Sequence, residues 1–109
     1  MLVILTTTPD LGEAERIAQL LVTERLAACV QVLPSMTSFY AWEGAMQRER
    51  EHLLLIKTLE ERFEAVRDFI IKHHTYEVPE IIAIPAKKVS DSYLKWITDY
   101  VGPTGEETT

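Results

Sequence analysis

Gln47-Arg48-Glu49-Arg50-Glu51-His52-Leu53-Leu54-Leu55-Ile56-Lys57 decides the fold. The first half alternates charge and the second half is an unbroken apolar run. Side chains of a strand alternate between faces, so Leu53-Leu54-Leu55-Ile56 reads as a strand buried on both sides. The charged half belongs in water. Glu43-Gly44 just upstream has the composition of a tight hairpin turn. The whole is therefore the return arm of a long β-hairpin with a solvated tip. Thr37-Ser38-Phe39-Tyr40-Ala41-Trp42 supplies the outgoing arm, rich in β-branched and aromatic residues. Tyr40 and Trp42 share a face there, which reads first as core or interface packing.

Working outward, Leu26 to Leu33 is a further extended stretch, and Pro34 interrupts it with a bulge or an edge position. Leu2 to Thr8 is β-rich and Pro9 closes it. Asp10 then offers an N-cap oxygen with Glu13 three residues on, and Ala14, Ile17, Ala18 and Leu21 line one face of a helix ending near Arg25. Downstream, Thr58 with Glu61 makes a second capping-box pattern. Leu59, Phe63, Val66 and Ile70 predict a helix over 59–73, terminated by His73-His74-Thr75. Val78 is held extended by Pro79. Glu80 to Ile84 reads as a strand stopped by Pro85. Ser90 caps a last helix with Tyr93, Leu94, Ile97 and Val101 on one side, ended by Gly102-Pro103. The order β-α-β-β-α-β-α is an α+β, ferredoxin-like βαββαβ two-layer sandwich with a long central hairpin and an extra C-terminal helix. We expect one domain over residues 1–102 and a flexible polar tail over 103–109.

Two helices and one short one are too few to cover strands that are apolar on both faces. Val3-Ile4-Leu5 and Ile81-Ile82-Ala83-Ile84 repeat the pattern of the return arm. The second face is expected to pack on another copy of the chain. The 109 residues carry 17 acids against 11 bases, a net charge of −6 with no basic half, so electrostatic nucleic-acid binding is disfavoured. The single cysteine, Cys29, excludes an internal disulfide framework. No stretch approaches the ~20 apolar residues of a membrane-spanning helix, and the N-terminus lacks a signal peptide's basic region, so a cytoplasmic protein is expected.

Few residues suggest chemistry. Cys29 lies in an apolar stretch and reads first as a small buried hydrophobe. His73 and His74 are adjacent at a helix end. Adjacent side chains on a helix diverge by about 100°, so two ligands to one ion need the helix to stop between them. His52, at the base of the hairpin, reads as solvated. Tyr76-Glu77-Val78-Pro79-Glu80 places two carboxylates beside an apolar strand, with Lys57 or Arg25 as candidate counter-charges. No phosphate loop, nucleophile elbow or zinc-protease helix occurs, so no enzymatic motif is present.

Arg25-Leu26-Ala27-Ala28-Cys29-Val30, Tyr40-Ala41-Trp42-Glu43-Gly44, Lys57-Thr58, His74-Thr75-Tyr76-Glu77-Val78-Pro79-Glu80-Ile81 and Tyr93-Leu94-Lys95-Trp96 resemble, in order and spacing, the divalent-cation tolerance protein family CutA. The likeness covers residues 2 to about 101. It implies a ferredoxin-like protomer, a tight homotrimer with exchanged hairpin pairing, a cytoplasmic location, and a role in tolerance of copper and other divalent metals. It implies no enzymatic activity and no organic cofactor. It also implies a likeness to PII-type signalling trimers, hence an alternative role in binding a small molecule or anion between subunits. Metal ligands implied by the resemblance are His73 and His74. A first-strand cysteine is replaced here by Thr6, and a proline by Thr75, which leaves Cu(II) on imidazole and oxygen rather than Cu(I) on sulfur. The inter-subunit pocket implied would involve Cys29, Trp42, Lys57, Tyr76, Glu77, Glu80 and Trp96. The partners expected are further copies of the chain and a divalent cation, with no nucleic acid and no membrane.

Overall fold

A computed structural model of the chain describes residues 1–102. The tail expected over 103–109 lies outside the described residues. The strands are β1 (Leu2–Thr8), β2 (Cys29–Val32), β3 (Met36–Trp42), β4 (Ala45–Thr58) and β5 (Ile82–Pro85), and the helices are α1 (Leu11–Thr23), α2 (Phe63–His73) and α3 (Asp91–Val101). The sheet is antiparallel in the order β2-β4-β1-β5, and β3 also pairs with β4. This is the ferredoxin-like arrangement expected. Among the described residues no helix is long and apolar enough to cross a membrane.

β4 is the spine. Its 14 residues span roughly 46 Å at about 3.3 Å per residue, close to the 49 Å long axis of the chain. β2 and β3 are two parts of one outgoing arm lying along it. Val32 pairs with Leu54 and Met36 with Glu51, so three residues on the outgoing arm face two on β4. The extra residue makes a bulge at Leu33-Pro34-Ser35, where proline has no N–H to give to the ladder. At the tip Trp42 pairs with Ala45. Glu43 and Gly44 both have positive φ, 50° and 81°, as a two-residue hairpin turn requires.

The helices cover one face only. Leu2 and Ile4 of β1 and Leu54 and Ile56 of β4 meet Ala14, Ile17 and Leu21 of α1 and Val66 and Ile70 of α2 in the main core. Each large side chain buried there contributes about 1.5–3 kcal/mol. Asp10 caps α1 as expected, its carboxylate accepting the Glu13 N–H at 2.7 Å. A smaller cluster of Ala28, Leu59, Ile97 and Val101 seats α3 at one end of the sheet.

Several boundaries depart from the sequence reading. The stretch from Leu26 is not yet strand: Leu26 and Ala27 send their N–H groups back to the Leu21 carbonyl, behind Arg25 at φ 60°. Thr58 makes no capping box. Its hydroxyl donates to the Leu26 carbonyl at 2.7 Å, and Glu60–Arg62 forms a 3₁₀ turn before α2. Ser90 holds the N-cap position of α3 without a side-chain cap bond. Leu94 faces solvent. The last strand is Ile82–Pro85 rather than 80–84.

The other sheet face carries Val3, Leu5, Leu53, Leu55, Ile82 and Ile84, which the register places side by side. Ile82 and Ile84 are 49% and 47% exposed, and the other four are half-buried. The continuous apolar runs therefore do face both ways, and the described residues of one chain leave the second face open.

Thr6 sits on the covered face with no accessible surface, and its hydroxyl has no hydrogen-bond partner. Valine has the same shape without the polar group. Thr6→Val is expected to raise stability by about 1 kcal/mol, read as a higher urea midpoint with unchanged slope. A lower midpoint would show that the hydroxyl is satisfied.

Candidate functional site

The end of α2 builds the site. The His74 N–H closes the helix on the Ile70 carbonyl at 2.8 Å, and its backbone then turns extended. The ring swings inward, with a side chain that is fully buried. Nε2–H donates to the Thr7 carbonyl of β1, and Nδ1 accepts the Tyr76 N–H at 2.9 Å. These two bonds assign the neutral Nε2–H tautomer. Glu13 of α1 is buried beside it. Its carboxylate accepts the Thr75 N–H at 3.1 Å and the Thr75 hydroxyl at 2.9 Å, with one oxygen 3.4 Å from Nδ1. Glu13 is thus more than a capping residue: it ties α1 to the segment after α2.

That segment roofs the open sheet face at the hairpin end. The Tyr76 hydroxyl donates to Glu51 Oε2 at 2.7 Å. Beneath lies a cavity of about 420 Å³. Thr7, Glu51, Tyr40 and Trp42 line it from the sheet, and Tyr76, Glu77, Val78 and Glu80 from the roof. Glu51 is only 5% exposed. None of the ion pairs among the described residues involves it. Its charge is felt nearby. Burial, then Glu51, raises the Glu80 carboxyl above the ordinary carboxylate value. Burial, then the hydrogen bond to Glu51 and its charge, holds the Tyr76 phenol far above its ordinary value of 10. A second hollow of about 750 Å³, on the helix side between Phe63 and Pro85, carries Glu60, Glu61 and Glu64, all outward-facing rather than buried.

The Tyr76 shift has a direct readout. A raised folded pKa contributes stability that is present below the unfolded value of about 10 and lost as pH rises through the folded one. The phenolate absorbance difference between wild type and Tyr76→Phe is therefore expected to stay near zero about one unit above that ordinary value. A full tyrosinate signal there would contradict the bond to Glu51.

The structure divides the seven expected pocket residues. Trp42, Tyr76, Glu77 and Glu80 line the cavity. Cys29 and Lys57 face each other across β2 and β4. The Lys57 ammonium lies 5.8 Å from the Tyr93 ring centre, itself 5.7 Å from Trp96. Val3 pairs with Lys57 and Thr7 lines the cavity, so the two groups stand roughly 13 Å apart along β1. Neither candidate counter-charge reaches Glu77 or Glu80. Lys57 lies by Tyr93, and Arg25 lies on Tyr100, donating to its carbonyl at 3.2 Å. His73 and His74 diverge: the His73 ring stacks on Phe69 at 4.2 Å, while both His74 nitrogens are engaged. Among the described residues no group of three or more His, Cys, Asp or Glu side chains is placed to hold a metal ion. His52, expected to be solvated, is half-buried, and its Nδ1 lies 3.0 Å from the Leu33 carbonyl in the bulge.

Sequence reading missed Glu51, Thr7 and Val78 as lining residues, and saw Tyr40 only as packing. Glu51 belongs to an alternating-charge run, the usual mark of a wet strand. The available signal was its register: it shares a strand face with Leu53 and Leu55.

The fold is thus a ferredoxin-like sheet with an overlong hairpin, and an acidic, aromatic cleft lies at the hairpin end. The chain belongs to the CutA1 divalent ion tolerance protein family, which matches residues 2–100. It is 41% identical to the divalent-cation tolerance protein CutA of Thermus thermophilus over 92% of this chain and 97% of that one. The chloroplastic protein CutA of Arabidopsis thaliana is 40% identical over 88% of this chain, which spans about half that relative's length, 53%. The solved structure of the Thermus thermophilus divalent cation tolerance protein superposes with a TM-score of 0.90 at 41% identity, covering 94% of this chain and all of that one.

Proposed function

We propose that the chain serves divalent-cation tolerance as a cytoplasmic homotrimer that takes up divalent copper. The observation that carries the assembly is the open sheet face, where Leu5, Leu53, Leu55, Ile82 and Ile84 lie together and no helix among the described residues covers them. Packing on further copies buries that face. It also offers a way for the Cys29–Lys57–Trp96 group of one copy to meet the Trp42–Tyr76–Glu77–Glu80 group of the next. The lone cysteine suits a reducing compartment.

For the metal, His73 offers the free imidazole, since His74 is committed to Thr7 and Tyr76. Cu(II) prefers imidazole and oxygen donors. Calorimetric titration with Cu(II) is expected to show uptake that His73→Ala weakens about tenfold while leaving the fold intact. No uptake, or uptake indifferent to the change, would overturn the copper reading.

A second reading, a PII-like trimer that binds a small molecule in its clefts, is favoured by one observation. The cavity of about 420 Å³ is the size of a ligand pocket rather than an ion site. Its acidic lining repels an anion, which narrows that reading to neutral or cationic molecules.

A further inference from the structure

Within one chain, the cleft holds a buried negative charge that no basic side chain among the described residues answers. Glu51 is 5% exposed, and its one described side-chain partner is the neutral Tyr76 hydroxyl. Glu77 and Glu80 add to the same field from the roof. A carboxylate taken out of water without a cation costs several kcal/mol; even where Lys57 of a next copy meets this cleft, one ammonium faces the three carboxylates of Glu51, Glu77 and Glu80, and a further cation completes the site. A metal ion is a poor fit, because no three ligating side chains converge there and the hollow is far larger than an ion. The walls are aromatic. Tyr40 and Trp42 stand on the same face of β3, and the Tyr76 ring closes the cleft from above. Ring faces attract cations, and do so most strongly for weakly hydrated organic ones, which shed water at little cost.

We propose that this cleft is a binding site for an organic ammonium cation, with Glu51 as its counter-charge and Tyr40, Trp42 and Tyr76 as its aromatic walls. The proposal rests on the small-molecule reading above and is independent of copper. An alkylated ammonium head fits between the rings, and the rest of the molecule extends towards Glu77 and Glu80 at the open side.

Choline is the probe. Titrated calorimetrically into the intact protein with a chelator present, it is expected to bind, while the neutral alcohol with carbon in place of the choline nitrogen is not. Tryptophan fluorescence of the protein should change along the same curve. Glu51→Gln keeps the volume and removes the charge; it should weaken choline at least about tenfold and leave thermal stability equal or higher. Trp42→Leu, at a strand position 42% exposed in one chain, should weaken it similarly. The proposal is overturned if choline fails to bind into the tens-of-millimolar range, if the neutral alcohol binds equally, or if both variants bind like wild type. It is also overturned if Glu51→Gln changes the mass in solution, since a neighbouring chain's basic group would then be the missing cation. The chelator keeps the two tests apart: choline can fail while copper still binds, and the reverse.

Discussion

Leu55→Arg is expected to reduce the protein to single chains. Leu55 lies at the middle of the open sheet face, opposite Leu5 on β1 and Gln31 on β2. In one isolated chain it is half-buried with water in reach. An arginine there could extend its stem over the sheet and keep its charge wet, at a cost of about 1 kcal/mol or less. Between packed copies the same charge would be buried without a partner, at several kcal/mol for each copy, which exceeds what a few apolar contacts return. The expected result is a large fall in mass in solution with secondary structure preserved. An unchanged mass would mean that the face meets water, and the assembly reading would fail with it.

The second large effect separates two adjacent histidines. His74→Ala is expected to cost about 3 kcal/mol. It removes two hydrogen bonds, leaves the Thr7 carbonyl and the Tyr76 N–H without partners, and opens a hole beside Glu13. The roof of the cleft should loosen too, because the Tyr76 hydroxyl reaches Glu51 only while its backbone is held at Nδ1. His73→Ala should cost less than about 1 kcal/mol, since that ring only stacks on Phe69. Urea melts of the two variants check this. Equal losses would contradict the division of labour between a structural His74 and an available His73.

The element order was legible because local signals agreed: the Asp10 cap, the apolar spacing in α1 and α2, the Glu43-Gly44 turn and Pro34 at the bulge. The doubly apolar runs also told truly, since Leu54 and Ile56 went to the covered face and Leu53 and Leu55 to the open one. The capping box at Thr58 misled because a hydroxyl bonds to whatever lies nearest, and the fold brings the Leu26 carbonyl there. Within one chain the candidate counter-charges lie elsewhere for the same reason: Lys57 and Arg25 sit beside Tyr93 and Tyr100 from α3, an element far off in sequence. The cleft was half legible. Trp42, Tyr76, Glu77 and Glu80 stood out in unusual stretches, but Glu51 hid among like and opposite charges. Its burial depends on a roof that begins more than twenty residues later.

The claim on which the rest stands is that further copies cover the open sheet face and complete the clefts. Sedimentation equilibrium of the purified protein tests it most directly. Three times the chain mass of 12.5 kDa is the expected result, held on dilution. A species of one chain mass at the same concentrations would contradict it.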